Sequence, residues 1–215
     1  RDRYSQIRAV DELVSLQDSL DEFRRYGLSS SDVEEISKKP EVSEDTYSRL
    51  TSFFKKLSPN ANVELVNNLS TAGAAYINEF LIQLDTNSRF KAMPEEVSHF
   101  FVEMLPSTSS LKKDMLSNIT SFAIYGTTLA AYRNEKDYQL ENGQPNYDKI
   151  KREAAAKLVG EFVYAIAEND MSRMSILLKT NDSFIQKWWD RLVNWVKKTF
   201  SIDRKERFQS YVKAA

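Results

Sequence analysis

The segment Glu95-Glu96-Val97-Ser98-His99 gathers residue types that can hold a metal ion and use it. His99 is the only histidine in the 215-residue chain. If the segment is helical, Glu95 and His99 fall on one face at the i, i+4 spacing, and Glu96 points beside them. Two ligands four residues apart can clamp one ion, and a neighbouring carboxylate can take a proton from water. The same residues also read as ordinary helix. Pro94 suits a first turn, where its missing N–H costs nothing, and Glu95 and Glu96 then meet the positive end of the helix dipole. Phe100, Phe101, Met104 and Leu105 form an apolar stripe that would be core.

The elements around this segment must place it. Val63-Glu64-Leu65-Val66 reads as a short strand, followed by a loop from Asn67 to Gly73. Ala75 to Asp85 reads as a hairpin with a tight polar turn at Asn78-Glu79, its second strand running from Phe80, and the Pro94 helix follows at once. Before the strand lie three helical segments. Ile7, Val10, Leu13, Leu20 and Phe23 recur at helical spacing, with Gly27 as a stop. Ser31-Asp32-Val33-Glu34 has the form of a capping box, and Ser43 caps a third helix striped by Tyr47, Leu50, Phe54 and Leu57. After the motif, a helix is expected from Leu111 to about Ala131. A polar connection containing Asn142-Gly143-Gln144-Pro145 follows, then a strong helix from Ile150 to Ala167 with Ala154, Leu158, Phe162, Val163 and Ile166 on its apolar side. Ser172 to Lys179 and Asp182 to Phe200 complete the helices. The expected organisation is a helical preamble over residues 1–58, a core over 59–181 and an aromatic helix with tail over 182–215. The stripe Ile185, Trp188, Trp189, Leu192, Val196 and Phe200 reads as packed on the core, with a docking surface as the alternative.

Composition narrows the function. A hydrophobic content of 41% in 215 residues is enough for a buried core, and a net charge of -1 gives no general attraction to nucleic acid. Charge is uneven: residues 11–45 are acid-rich and residues 187–213 lean basic. The absence of cysteine removes disulfides, thiolate metal sites and cysteine nucleophiles together. No apolar run has the length of a membrane span, and no signal-peptide pattern opens the chain. A start at Arg1 is expected of a fragment or processed product of a larger chain.

The order strand, hairpin, Glu-Glu-x-x-His helix, later acid-bearing helix resembles the zincin-like metallopeptidases, in which His-Glu-x-x-His supplies two zinc ligands and a base. Here Glu95 stands in place of the first His. In the gluzincin branch the third ligand is a Glu on the later helix, which the resemblance places at Glu153, with Glu161 as fallback. Residues 75–105 and 147–162 also resemble zincin-like domains of large polyvalent bacteriophage proteins, including those of crAss-like phages. The expected fold is therefore α+β, mostly helical, with a small sheet at about Val63–Asp85 and helical flanks at both ends. The resemblance implies a peptidase with Glu95, His99 and Glu153 as metal ligands and Glu96 as the base. Its metal would be Zn²⁺, with Mn²⁺ or Fe²⁺ as harder alternatives, or no metal at all. It implies a polypeptide substrate or phage virion proteins as partners, in the cytoplasm of an infected bacterium or in the virion. The alternative is a catalytically inactive zincin-like structural or cargo module of the particle, suggested by the His-to-Glu change.

Overall fold

The computed structural model describes residues 20–179 together with Asn194. The part of the expected first helix before Leu20, and the expected aromatic helix over Asp182 to Phe200 apart from Asn194, lie outside the described residues. Within them the protein is α+β and mostly helical, with one small sheet.

The chain enters at the end of a helix, which Gly27 stops with φ at +70°. Helix α1 (Ser30–Ser37) and helix α2 (Glu44–Lys55) follow. The capping box of α1 is Ser29 with Asp32, two residues ahead of the expected Ser31 start: Ser29 Oγ accepts from the Asp32 N–H at 3.1 Å, and the Ser29 N–H donates to Asp32 Oδ2 at 2.9 Å. Starting there puts Leu28 and Val33 at the two positions where apolar side chains staple a helix entry, and both join the core. Ser43 caps α2 as expected, accepting from the Thr46 N–H.

The sheet has β1 (Asn62–Val66), β2 (Gly73–Tyr76) and β3 (Leu81–Asp85), in the order β1-β3-β2. β2 and β3 form the expected antiparallel hairpin, with Ala75 opposite Ile82 and Gly73 opposite Leu84. β1 pairs with β3 in parallel, with Leu65 opposite Leu84. Phe80 belongs to the turn and not to the strand. It takes φ of +50°, its carbonyl accepts from the Asn62 N–H at 3.0 Å, and its ring lies 5.9 Å from that of Phe100. Those contacts hold a bulky residue in a conformation it rarely adopts.

Ile82 and Leu84 are fully buried and lead through 86–88 into α3 (Arg89–Met104), which buries Met93, Val97, Phe100 and Phe101. Phe54 of α2 meets Phe100 at 4.6 Å between ring centroids, so the preamble helix shares this core. The helix expected from Leu111 to Ala131 is broken into α4 (Ser110–Asn118), a 3-10 turn (Ile119–Ser121) and α5 (Ala123–Tyr132), with Phe122 extended between them. Tertiary partners take over the backbone groups at the break: Tyr26 Oη donates to the Thr120 carbonyl, and the Ala123 N–H donates to the Lys179 carbonyl at 2.9 Å. The polar connection turns at Gly143, φ +78°, and contains the 3-10 turn Lys136–Tyr138. Asn146 then caps α6 (Tyr147–Ala167), and α7 (Ser172–Leu177) closes the described fold. Ala154, Leu158, Phe162 and Val163 are buried on α6, but Ile166, expected beside them, is exposed near the helix end.

Candidate metal centre

Helix α3 begins five residues before Pro94, so the expectation that Pro94 opens the helix does not hold, and neither does a dipole role for Glu95 and Glu96. A proline inside a helix leaves the carbonyl four residues upstream without its donor. Here that carbonyl, on Phe90, accepts from the Val42 N–H at 3.1 Å, so a donor from the α1–α2 connector replaces the missing one. Ser98 Oγ donates back to the Pro94 carbonyl at 2.6 Å. The Glu-Glu-x-x-His segment thus occupies the middle of a helix secured on both sides of its proline.

Helix α6 comes against it at Gly160. A Cβ there would stand 3.0 Å from Glu95 Cα and 3.3 Å from the Pro94 carbonyl, so a side chain would press the two helices apart by a few tenths of an ångström. Two turns earlier on α6 is Glu153, and one turn later on α3 is His99. Their side chains meet, with His99 Nε2 3.8 Å from Glu153 Oε2. Glu95, His99 and Glu153 each offer a ligand atom, and these lie within 4.8 Å of one another. Tyr138 Oη donates to Glu153 Oε2 at 3.0 Å and fixes that carboxylate from the polar connection. The fallback ligand Glu161 is elsewhere, joined to Arg173 at 2.8 and 3.1 Å.

The adjacent carboxylates Glu95 and Glu96 are both buried but electrostatically opposite. Burial alone would raise the Glu95 pKa, but the ammonium groups of Lys157, at 2.7 Å, and Lys39 hold it well below the usual carboxylate range. Lys157 is drawn above its ordinary value by Glu95, against the effect of its own burial. Glu96 accepts no hydrogen bond among the described residues. Burial first, and the Glu95 charge second, push its carboxyl up to about 8. Gly73 of β2 makes room for it: a Cβ there would lie 2.8 Å from Glu96 Cγ and Oε1.

These groups border a cleft of about 950 Å³ that is lined also by Gly73, Ala74 and Ala75 of β2 and by Tyr132, Tyr138 and Arg152. β2 is an edge strand of the described sheet, so its outer backbone faces no other strand there. Sequence reasoning found Glu95, Glu96, His99 and Glu153 but missed Lys39 and Tyr138, whose positions carry no spacing signal. Lys157 had such a signal, one turn after Glu153, but it reads as a partner on a solvated face; its side chain is instead only 23% exposed and reaches across to Glu95.

The donor set suits a small divalent cation: two carboxylates and one imidazole, an arrangement in which ligand oxygens and a nitrogen can converge. Tetrahedral coordination at bond lengths of roughly 2.0–2.2 Å sets donors about 3.3–3.6 Å apart. The observed spacing therefore needs a contraction that long Glu side chains can supply. The ion pairs at Glu95 are the opposing element, because an ammonium group and a metal compete for the same oxygens. Among the described residues no helix is long and apolar enough to cross a membrane. Compared with family models, curated proteins and solved structures, the chain finds no match.

Proposed function

We propose that the chain is a zincin-like metal-dependent peptidase, of the kind carried in bacteriophage polyvalent proteins, acting on polypeptide. The observation that supports this most is the convergence of Glu95, His99 and Glu153, in an open cleft, beside Glu96, which has no hydrogen-bond partner among the described residues. Glu95, His99 and Glu153 would hold the cation, with Zn²⁺ first and Mn²⁺ or Fe²⁺ as the harder alternatives for a carboxylate-rich set. When bound, the cation polarises the scissile carbonyl and makes water easier to deprotonate.

The remaining work belongs to the chain itself. Glu96, in its ionised form, takes a proton from the attacking water as the new C–O bond forms. It then gives that proton to the amide nitrogen as the C–N bond breaks. A carboxylate raised toward neutrality is a stronger base than an ordinary one, and the cation's charge would bring it back toward ionisation at neutral pH. Tyr138 orients Glu153 through its hydrogen bond. The outer edge of β2, which pairs with no other strand among the described residues, offers backbone donors and acceptors for an extended peptide. The Gly73 carbonyl already accepts from Thr71 Oγ1, and the small side chains of Gly73, Ala74 and Ala75 leave the peptide room.

The test is metal analysis of protein purified without chelator, joined to a peptide-cleavage assay. A stoichiometric metal lost in His99→Ala, and cleavage lost in Glu96→Gln with metal retained, are the expected results. Absence of metal, or unchanged cleavage in Glu96→Gln, would refute the peptidase. A second reading is an inactive structural or cargo module of a phage particle, and the two lysines on Glu95 favour it. In that case His99→Ala would leave function intact, and no added metal would elicit proteolysis.

A further inference from the structure

Two lysines neutralise Glu95, and they are held differently. Lys157 rises from the middle of α6 and is fixed on several sides: 2.7 Å from Glu95, 3.7 Å from Glu153, and 5.2 Å from the Tyr132 ring centroid. Lys39 comes from the connector between α1 and α2. Its side chain is 39% exposed, and among the described residues its ion-pair partner is Glu95 alone.

The backbone on either side of Lys39 is pinned. The Arg173 guanidinium donates to the carbonyls of Glu35, Ile36 and Lys38 at 2.8–3.0 Å, and the Val42 N–H is bound to Phe90. The freedom that remains is in the Lys39 side chain. That side chain borders the main cleft and also a small recess whose lining includes Glu95, Lys91 and Lys157. Because the side chain is 39% exposed, its ammonium can withdraw from Glu95 into solvent without any movement of α1 or α3.

We propose that Lys39 is a displaceable internal counter-ion of the metal centre, filling the Glu95 end of the cleft and withdrawing when a divalent cation binds. This rests on the metal-centre reading above and adds to it a determinant of the site's metal affinity. Lys39 sits on Oε2 of Glu95 and Lys157 on Oε1, and a divalent cation arriving at Oε2 would meet the Lys39 ammonium at contact distance, with strong repulsion. Lys39 therefore stabilises the metal-free protein and raises the concentration of metal needed to fill the site. Lys157 stays in place and keeps part of the Glu95 charge balanced in both states.

The experiment titrates the full chain with Zn²⁺ against a chelating dye, using wild type, Lys39→Met, Lys39→Arg and Lys38→Met. Lys38 is the control, because its exposed side chain pairs with Glu34 and not with the cleft. Removing the competing ammonium should tighten Zn²⁺ binding by roughly tenfold or more, while Lys39→Arg and Lys38→Met stay within about threefold of wild type. A second measurement needs no variant: Zn²⁺ should raise the reactivity of Lys39 toward an amine-acylating reagent, read by mass spectrometry, as its ammonium leaves Glu95. Equal Zn²⁺ affinity in wild type and Lys39→Met, with Lys39 labelling unchanged by Zn²⁺, overturns the counter-ion and leaves the metal centre standing. Absence of Zn²⁺ binding in every variant, or binding that survives His99→Ala, overturns both.

Discussion

Glu153 and Glu161 sit on the same helix, with side chains 12% and 14% exposed, yet their surroundings have little in common. Glu161 meets Arg173, whose guanidinium makes five hydrogen bonds: two to that carboxylate and three to backbone carbonyls at the end of α1. Every N–H of the arginine is thereby used. Glu153 accepts from Tyr138 at 3.0 Å and lies 3.7 Å from Lys157, but the cluster around it does not close. His99 approaches at 3.8 Å, beyond hydrogen-bond length, and Glu96 has no hydrogen-bond partner among the described residues. A buried charge cluster whose donors and acceptors all cancel is a fastening. One that leaves a carboxylate and an imidazole uncommitted next to an open cleft retains capacity for a ligand.

The sharpest way to break this comparison is at the closed cluster. Arg173→Ala strands the Glu161 charge and three carbonyls, and should cost about 3–5 kcal/mol in denaturant unfolding. Arg173→Lys should recover less than half of that, since an ammonium cannot reproduce the five-donor fork. A loss below about 1 kcal/mol would mean that the cluster fastens nothing.

At the open cluster the sign reverses. The folded state holds the Glu96 proton up to a pKa of about 8, against an ordinary value of 4.5. The fold therefore binds more protons than the unfolded chain between those values, and stability should drain as pH rises through that window. Glu96→Gln, measured on metal-free protein, should flatten the decline and be about 1–3 kcal/mol more stable than wild type at pH 8. A variant that is less stable at pH 8, with the same pH slope, would show that Glu96 is satisfied after all. The smallest effect is expected from Tyr138→Phe, which removes one hydrogen bond to Glu153 and should cost about 1 kcal/mol of stability. Its larger consequence should be for metal: Zn²⁺ affinity should fall roughly tenfold as the carboxylate loses its orientation.

Much of this arrangement is readable from sequence where the signal is local. The Ser43 cap, the hairpin and the i, i+4 pair in α3 each follow from spacing or turn chemistry, whereas Glu153 on α6 is singled out only by the resemblance to zincin-like domains. What escapes is decided by partners distant in the chain. Pro94 reads as a helix start because nothing nearby reveals that Val42 will serve the Phe90 carbonyl. The break at Phe122 depends on Tyr26 and Lys179. Lys39 looks like any solvated lysine, and only the fold brings it to a carboxylate 56 residues away. The parallel pairing of β1 with β3 is likewise invisible in two short strands.

The contact between Gly73 and Glu96 links two positions in evolution. A side chain at residue 73 would occupy the volume that the Glu96 side chain fills, so descent from a common ancestor should not treat the two sites independently. Lineages that keep glutamate at 96 should keep glycine at 73. Those in which 96 has shrunk to alanine or serine would be released to accept alanine or larger at 73, and the loss of the carboxylate would be recorded on a strand that supplies no reacting side chain.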